Sequence, residues 1–512
     1  MFPRALAFVV IFSSILLSAC SAQQNLGEET WYQVDSKNFR IITNGDPEAV
    51  KTLSRDLERY RAVALHLLGT GKSSHKLTIY AAADRQSYAG LVGDELAEMT
   101  NGLFDTTAEG SYALVNLDGR GGKRELKARE FLFHEYTHFL SYNGNTTHYP
   151  YWYSEGFAEF MSTMTFSPDG RYQLGAIPAE RAMTLLYTSP MPLKQLLRAT
   201  TTNTSDDDKA RVYASGWMLT DWLIMQSGKV DQFKKYVKAY NNGADPVDAL
   251  ERTFGVKLAD VQKQYEAMFQ NGQFNLVSGS VPKDFHGVDP TVQQLSKRHA
   301  IAQVARFLVQ SGYNLDSLHA LVQYARAQGV DSPELTAAQA EAETRVGNYQ
   351  HAEQLLATIP PRERNKFWYQ TVDAWLGLTQ QINTAKPQRD RAALKEARDK
   401  FVYLVNNDTD LASNWYGLAM SMQMLGYPRA KYMDMLEQAY LRAPRQVHIA
   451  QWLAMELYAQ KDAEYFTRVA KPLLLELSSQ DDYDQMKAML KEMQPKASGK
   501  VRETTRLAQK DG

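Results

Sequence analysis

The 512-residue chain has a single cysteine, Cys20. One thiol can form no internal disulfide, so an exported protein of this sequence must be held by packing. Charge of one sign is also missing, because 57 Lys and Arg stand against 58 Asp and Glu. No net field draws the chain to nucleic acid or to an anionic membrane surface, and partners must be held at local sites. Long apolar runs are absent apart from one near the start, about Ala5 to Leu17, which is too short to span a bilayer as a mature helix. What is present is a globular composition, 44% hydrophobic, in a chain long enough to bury several cores.

That apolar run follows Arg4 and ends in small residues, as a secretory signal does. At its end "LSAC", Leu17 to Cys20, resembles the bacterial lipobox. The resemblance implies a signal peptide over 1–19, a lipidated Cys20 at the mature amino terminus, a membrane contact through that lipid, and a polar tether over 20–29. By likeness to lipoprotein sorting in Gram-negative bacteria, Ser21 favours the outer membrane, with the body facing the periplasm.

Beyond the tether, "WYQVDSKNFRIITN" alternates like a strand, and "DPEAVKTLSRDLERYRAVALHLLG" opens with Asp-Pro and carries a helical apolar stripe. "KLTIYAA" reads as a short strand and "GLFDTTAEGSYALVNLDGRGG" as two strands with Gly-rich turns. "KRELKAREFLFHEYTHFLSY" reads as a long helix stopped at Asn143-Gly144, with a second helix from about Trp152 to Met164. Helical patterning continues to about residue 270, broken by the polar loop "TTNTSDDDK". The stretch 271–293 mixes Gly, Ser, Pro and Asp without a period, as linkers do. Helices fill 294–495, and 496–512 is a polar tail.

Within the long helix, His134 and His138 stand four apart and share one face, so their ring nitrogens can converge on one ion. Glu135 follows the first histidine. In this H-E-x-x-H arrangement zinc lowers the pKa of bound water, and the carboxylate takes the proton as water attacks a carbonyl. A catalytic zinc needs a third ligand, and "YWYSEGFAEF", Tyr151 to Phe160, offers Glu155 on the next helix.

At this point the sequence resembles the gluzincin peptidases, in particular the peptidase MA-like group, over roughly residues 30–270. There an H-E-x-x-H helix precedes a W-x-x-E-G-x-A-E helix, matched here by Trp152, Glu155, Gly156, Ala158 and Glu159. The resemblance implies an α+β metallopeptidase domain in which His134, His138 and Glu155 bind one Zn2+ per chain, Glu135 is the general base, and Glu159 supports a ligand histidine. It also implies that "ARVYASGWMLTDWL" presents a tyrosine, Tyr213, to the oxyanion, with His148 as a rival donor. "SYALVNLD" lies where gluzincins keep the sheet edge that pairs with an extended peptide. The G-x-M-E-N motif of the aminopeptidase branch is not found, which favours an endopeptidase. His66, His75, His286, His299, His319, His351 and His448 have no ligand spacing and read as structural or exposed.

Two carboxy-terminal stretches, "AQAEAETRVGNYQHAEQLLATIP" and "SNWYGLAMSMQMLGYPRAKYMDMLEQAYLRAP", share a helix, a Gly-aromatic turn, a second helix and a closing Pro. That layout resembles tetratricopeptide repeats, although Gly347 and Gly426 are not a whole number of 34-residue periods apart. "FWYQTVDAWLGL" and "AALKEARDKFVYLV" read as the pair between them. An irregular helical bundle is the other reading of this all-α region. The chain thus reads as a zinc peptidase acting on protein or peptide, with a helical domain available to a protein partner. The alternative is a scaffold lipoprotein whose zinc domain is structural or has lost turnover.

Overall fold

A computed structural model describes residues 26–493 apart from 69–75, 119–123, 143–146, 202, 226–228, 273, 284, 286, 331, 409 and 478. The expected signal peptide, Cys20, the Asn143-Gly144 helix stop and the polar tail lie outside the described residues. No helix among the described residues is long and apolar enough to cross a membrane.

A six-stranded mixed sheet organises the amino-terminal half. Its strands are β1 (Tyr32–Asp35), β2 (Phe39–Thr43), β3 (Leu77–Ala82), β4 (Gly102–Thr107), β5 (Gly110–Asn116) and, much later, β9 (Thr291–Gln294). The order across the sheet is β4-β5-β3-β2-β1-β9, with β2, β3 and β5 parallel and the outer pairs antiparallel. The stretch expected as one strand is a hairpin, turned at Ser36 where its N–H reaches Phe39 O. The stretch expected as linker supplies β9 and also β8 (Val277–Ser280), which joins β6 (Thr165–Phe166) and β7 (Arg171–Leu174) in a small second sheet.

The central strands are apolar on both faces, as parallel strands covered twice must be. Ile41, Ile79, Ala113 and Val115 point into a core closed by α1 (Pro47–Leu68) and α4 (Arg124–Tyr142). Their neighbours Ile42, Tyr80, Tyr112 and Leu114 point the other way, onto α12 (Lys297–Ser311) and α13 (Leu315–Ala327), with Phe307 4.4 Å from the Tyr80 ring. The described end of the expected tether is packed there too. Leu26 is buried and its carbonyl accepts from the Trp31 indole N–H.

β5 is an inner strand, bonded to β3 and to β4. The edge assigned by resemblance to "SYALVNLD" therefore belongs to β4, because the tight turn after Thr107 lays β4 outside β5. The outer edge of β4 is partly met by the carboxy-terminal half, where Gln446 Nε2 donates to Thr106 O at 2.5 Å and Ser413 N donates to Ala108 O at 2.8 Å.

Past α4 come α5 (Tyr151–Ser162), α6 (Ala179–Thr188), α7 (Leu193–Arg198), α8 (Asp206–Met225), α9 (Lys229–Asn241), α10 (Pro246–Phe254) and α11 (Leu258–Asn271). Asp206 to Lys209, expected in a polar loop, open α8. Ser205 Oγ accepts from Asp208 N, and three aspartates in the first turn suit the positive end of the helix.

The carboxy-terminal half is a run of helical hairpins. α12 packs with α13, α14 (Pro333–Arg345) with α15 (Tyr349–Thr358), α16 (Phe367–Ile382) with α17 (Arg391–Asn407), and α18 (Ala412–Met424) with α19 (Arg429–Arg442). α20 (Val447–Ala459) then packs with α21 (Ala463–Leu473), and α22 (Gln480–Met493) follows. Gly347 and Gly426 occupy the same place in their hairpins, each with φ above +80°, a conformation that glycine adopts without penalty.

Candidate metal centre

Helix α4 divides its residues cleanly. Leu132, Phe133, Tyr136 and Leu140 enter the core, where Phe133 stacks on Tyr60 with centroids 4.1 Å apart. His134 and His138 occupy another face, each under 10% exposed. Helix α5 brings Glu155 to them. His134 Nε2 lies 3.2 Å from His138 Nε2, and Glu155 Oε2 lies 3.4 Å from each.

Those three atoms fit a metal ion. Zinc bonds of about 2.0–2.1 Å at tetrahedral angles set ligand atoms roughly 3.3 Å apart, matching the observed triangle. Glu155 Oε2 is buried yet accepts no well-formed hydrogen bond, and buried carboxylate oxygens are ordinarily paired or bound to metal. No other such cluster of His, Cys, Asp and Glu occurs among the described residues.

The surroundings hold the cluster in place. Glu159, one turn beyond Glu155, puts Oε1 3.4 Å from His134 Nδ1 and accepts from Arg181 Nη2 at 2.8 Å. Ser154 Oγ lies 3.4 Å from His138 Nδ1. Tyr213, on α8, sets its ring parallel to His134 with centroids 6.0 Å apart, and the Arg181 guanidinium lies over the same ring, 5.0 Å from its centre. Tyr151 meets Tyr213 edge-on at 6.3 Å. His148 is engaged elsewhere: its Nε2 is 3.1 Å from Glu476 Oε1, and its N–H donates to Asn241 Oδ1. Arg181, Ser154 and Tyr151 were not singled out by sequence. Ser154 and Tyr151 lie inside the quoted motif, whereas Arg181 carries no local signal.

Helices α5 and α8 cross at two glycines. A Cβ on Gly156 would overlap the Gly216 carbonyl, and one on Gly216 would overlap the Trp152 carbonyl. This close approach sets Glu155 and Tyr213, each within a turn of the crossing, on the same site.

Electrostatics follow from the ionisable groups gathered in this buried cluster. Burial lowers the His134 pKa, but Glu155, Glu159 and Glu135 outweigh it and push the imidazole up to about 9. Burial works against the Glu155 anion, yet His138 and His134 hold it well below the usual carboxylate range. Glu135 is pushed up by burial, which outweighs the opposing pull of His134 and His138, with Glu155 and Glu159 adding to the rise. Burial and the Glu155 carboxylate drive the Tyr213 hydroxyl far above 10, so it remains an O–H donor.

Residues 108–255 match the collagenase family model, Peptidase_M9. The matched segment contains every residue of the cluster, from His134 to Tyr213. The collagenase match and the His-His-Glu group together support a zinc metallopeptidase. A comparison with curated proteins finds no match.

Proposed function

We propose that this chain is a zinc-dependent endopeptidase, lipid-anchored through Cys20 at the outer membrane and facing the periplasm. The observation that carries the peptidase reading is the triangle of His134 Nε2, His138 Nε2 and Glu155 Oε2, 3.2–3.4 Å on a side, with Glu135 next to it in sequence on the same buried helix. The collagenase-family match over 108–255 supports it, and the "LSAC" run supports the anchor.

His134, His138 and Glu155 hold one zinc ion. When bound, zinc supplies a Lewis acid and lowers the pKa of water. Glu135 takes a proton from the attacking water and delivers it to the departing amine, a transfer worth typically 10²–10⁴-fold in rate. Burial raises its pKa, the direction that favours passing the proton on to the amine. Tyr213, protonated at any working pH, donates to the oxygen that gains charge on the scissile carbonyl. Glu159 and Ser154 orient the ligand histidines, and Arg181 fixes Glu159 and Tyr213 together. The helical hairpins, tetratricopeptide-like in layout, offer a surface to protein substrates or partners.

The test pairs metal content with turnover. Wild type is expected to hold about one zinc per chain and to cleave casein or gelatin. Glu135→Gln is expected to keep the zinc and lose at least about 100-fold in rate. Zinc-loaded wild type that cleaves neither protein would sink the peptidase reading and leave the helical scaffold as the working part.

A further inference from the structure

The face of α5 opposite Glu155 borders a second cavity, of about 790 Å³, between the amino-terminal half and α21. That size falls within the range of small-molecule sites. Its floor is apolar throughout: Phe160, Met161, Leu174, Leu223 and Val237, with Tyr153, Phe157 and Phe233 as walls. Val230, 55% exposed, stands at the mouth.

The rim is cationic. Lys234 and Lys238 come from one face of α9, and Arg468 and Lys471 from one face of α21. No carboxylate occurs among the lining residues. Lys471 Nζ donates to Asn242 O at 3.0 Å, Arg468 lies over the Tyr465 ring, and Asp231 is 3.9 Å from Lys234 on the exposed side, with Glu464 one turn before Arg468 on α21. Four cations from two helices at one opening favour an anionic group there.

We propose that this cavity binds a single-chain anionic amphiphile, a long-chain fatty acid or a lysophospholipid. The floor matches an unbranched acyl chain, which needs no hydrogen bonds. A peptide would bury backbone N–H and C=O groups against these apolar side chains, because the neutral polar lining comes only from Thr147, Asn241, Asn242, Thr467 and the tyrosine hydroxyls. The rim matches a carboxylate or phosphate headgroup held by lysine and arginine. The site is separate from the metal cluster, since Tyr153, Phe157 and Phe160 project from α5 roughly opposite to Glu155 and Glu159.

The experiment uses the full chain with cis-parinaric acid as fluorescent probe, displaced in turn by palmitate, lysophosphatidylglycerol and zwitterionic lysophosphatidylcholine. Saturable binding is expected, displaced by palmitate or lysophosphatidylglycerol and at least about tenfold less well by lysophosphatidylcholine. The relative potency of the two anionic lipids tells a free fatty acid from a phospholipid. The Lys238→Glu/Arg468→Glu double variant changes only exposed side chains and is expected to weaken probe binding about tenfold or more, with zinc content unchanged. Failure of both anionic lipids to displace the probe, or equal binding by the charge-reversed variant, would overturn the proposal. So would displacement by an acidic aromatic peptide alone, which would assign the cavity to a peptide.

Discussion

Glu159 joins the ligand cluster to the rest of the fold, because the same carboxylate faces His134 Nδ1 and accepts from Arg181. Removing it frees the imidazole to rotate and leaves Arg181 without its buried partner. Glu159→Ala is expected to weaken zinc binding by about 10–100-fold, measured by competition with a chelator. Zinc affinity equal to wild type would show that the contact does not orient the ligand. Protons compete for the same site. In the metal-free protein the His134 pKa is raised from 6.5 to about 9, so its stabilising pairing is complete below pH 6.5 and lost as pH rises through 9. Glu155, lowered, contributes above its ordinary 4.5 and loses that contribution as pH falls toward its depressed value. A metal ion needs neutral imidazole, so it must displace the His134 proton. Zinc affinity is expected to rise about tenfold per pH unit between 6.5 and 8.5, read by calorimetry in two buffers. A flat profile would mean that His134 carries no proton in the metal-free site.

At the scale of elements, the crossing of α5 and α8 makes the strongest demand. Gly216→Ala drives a methyl group into the Trp152 carbonyl, and overpacking of this kind costs about 1–3 kcal/mol or more. Gly377→Ala, inside α16, is the matched control, since its Cβ would meet only Ala397 Cβ at 3.7 Å. The control is expected to be neutral or stabilising by about 0.5–1 kcal/mol, and thermal melts of the two variants separate the outcomes. Equal melting points would mean that the helices can part without cost. Gly156 was visible in the sequence as a motif letter, but its reason, a backbone contact with a glycine 60 residues later, was not. The His134, His138 and Glu155 grouping was legible because a helix fixes a four-residue spacing and the next helix follows across a short loop. Arg181 was illegible because it arrives through tertiary packing alone. The edge strand was misassigned by one strand for the same reason: alternation marks a strand, while the neighbour on each side depends on pairing. The strands at 277–280 and 291–294 were hidden because edge strands of four residues, one of them VSGS and the other, TVQQ, exposed throughout, look like linker.

Across the whole molecule, the helical hairpins complete the fold of the amino-terminal half. Ile42, Tyr80, Tyr112 and Leu114 on the sheet, with Trp31, Tyr88 and Leu91 beside them, share one core with α12 and α13. Buried large side chains contribute roughly 1.5–3 kcal/mol each. Seven of them are worth about as much as the 5–15 kcal/mol that keeps a whole domain folded. The far end of the hairpins returns to the same half, through Ser413 on Ala108 and through the His148, Glu476 and Arg445 group. These rim contacts are few and polar, whereas the sheet face is broad and apolar. A chain truncated after residue 296, which keeps β1 to β9 and the metal cluster, is therefore expected to aggregate or unfold. The full-length Arg445→Ala variant is expected to melt within a few degrees of wild type, because the ion pair with Glu476 and the 3.4 Å bond to Thr147 O that it removes are partly exposed. Solubility and circular dichroism of the truncated chain decide the matter. A soluble, cooperatively unfolding 26–296 fragment with zinc bound would make the peptidase half an independent domain and the hairpins an addition. An aggregated one would make α12 and α13 part of the peptidase core, so that whatever the later hairpins bind pulls on a layer packed directly against the sheet that supports the metal helix.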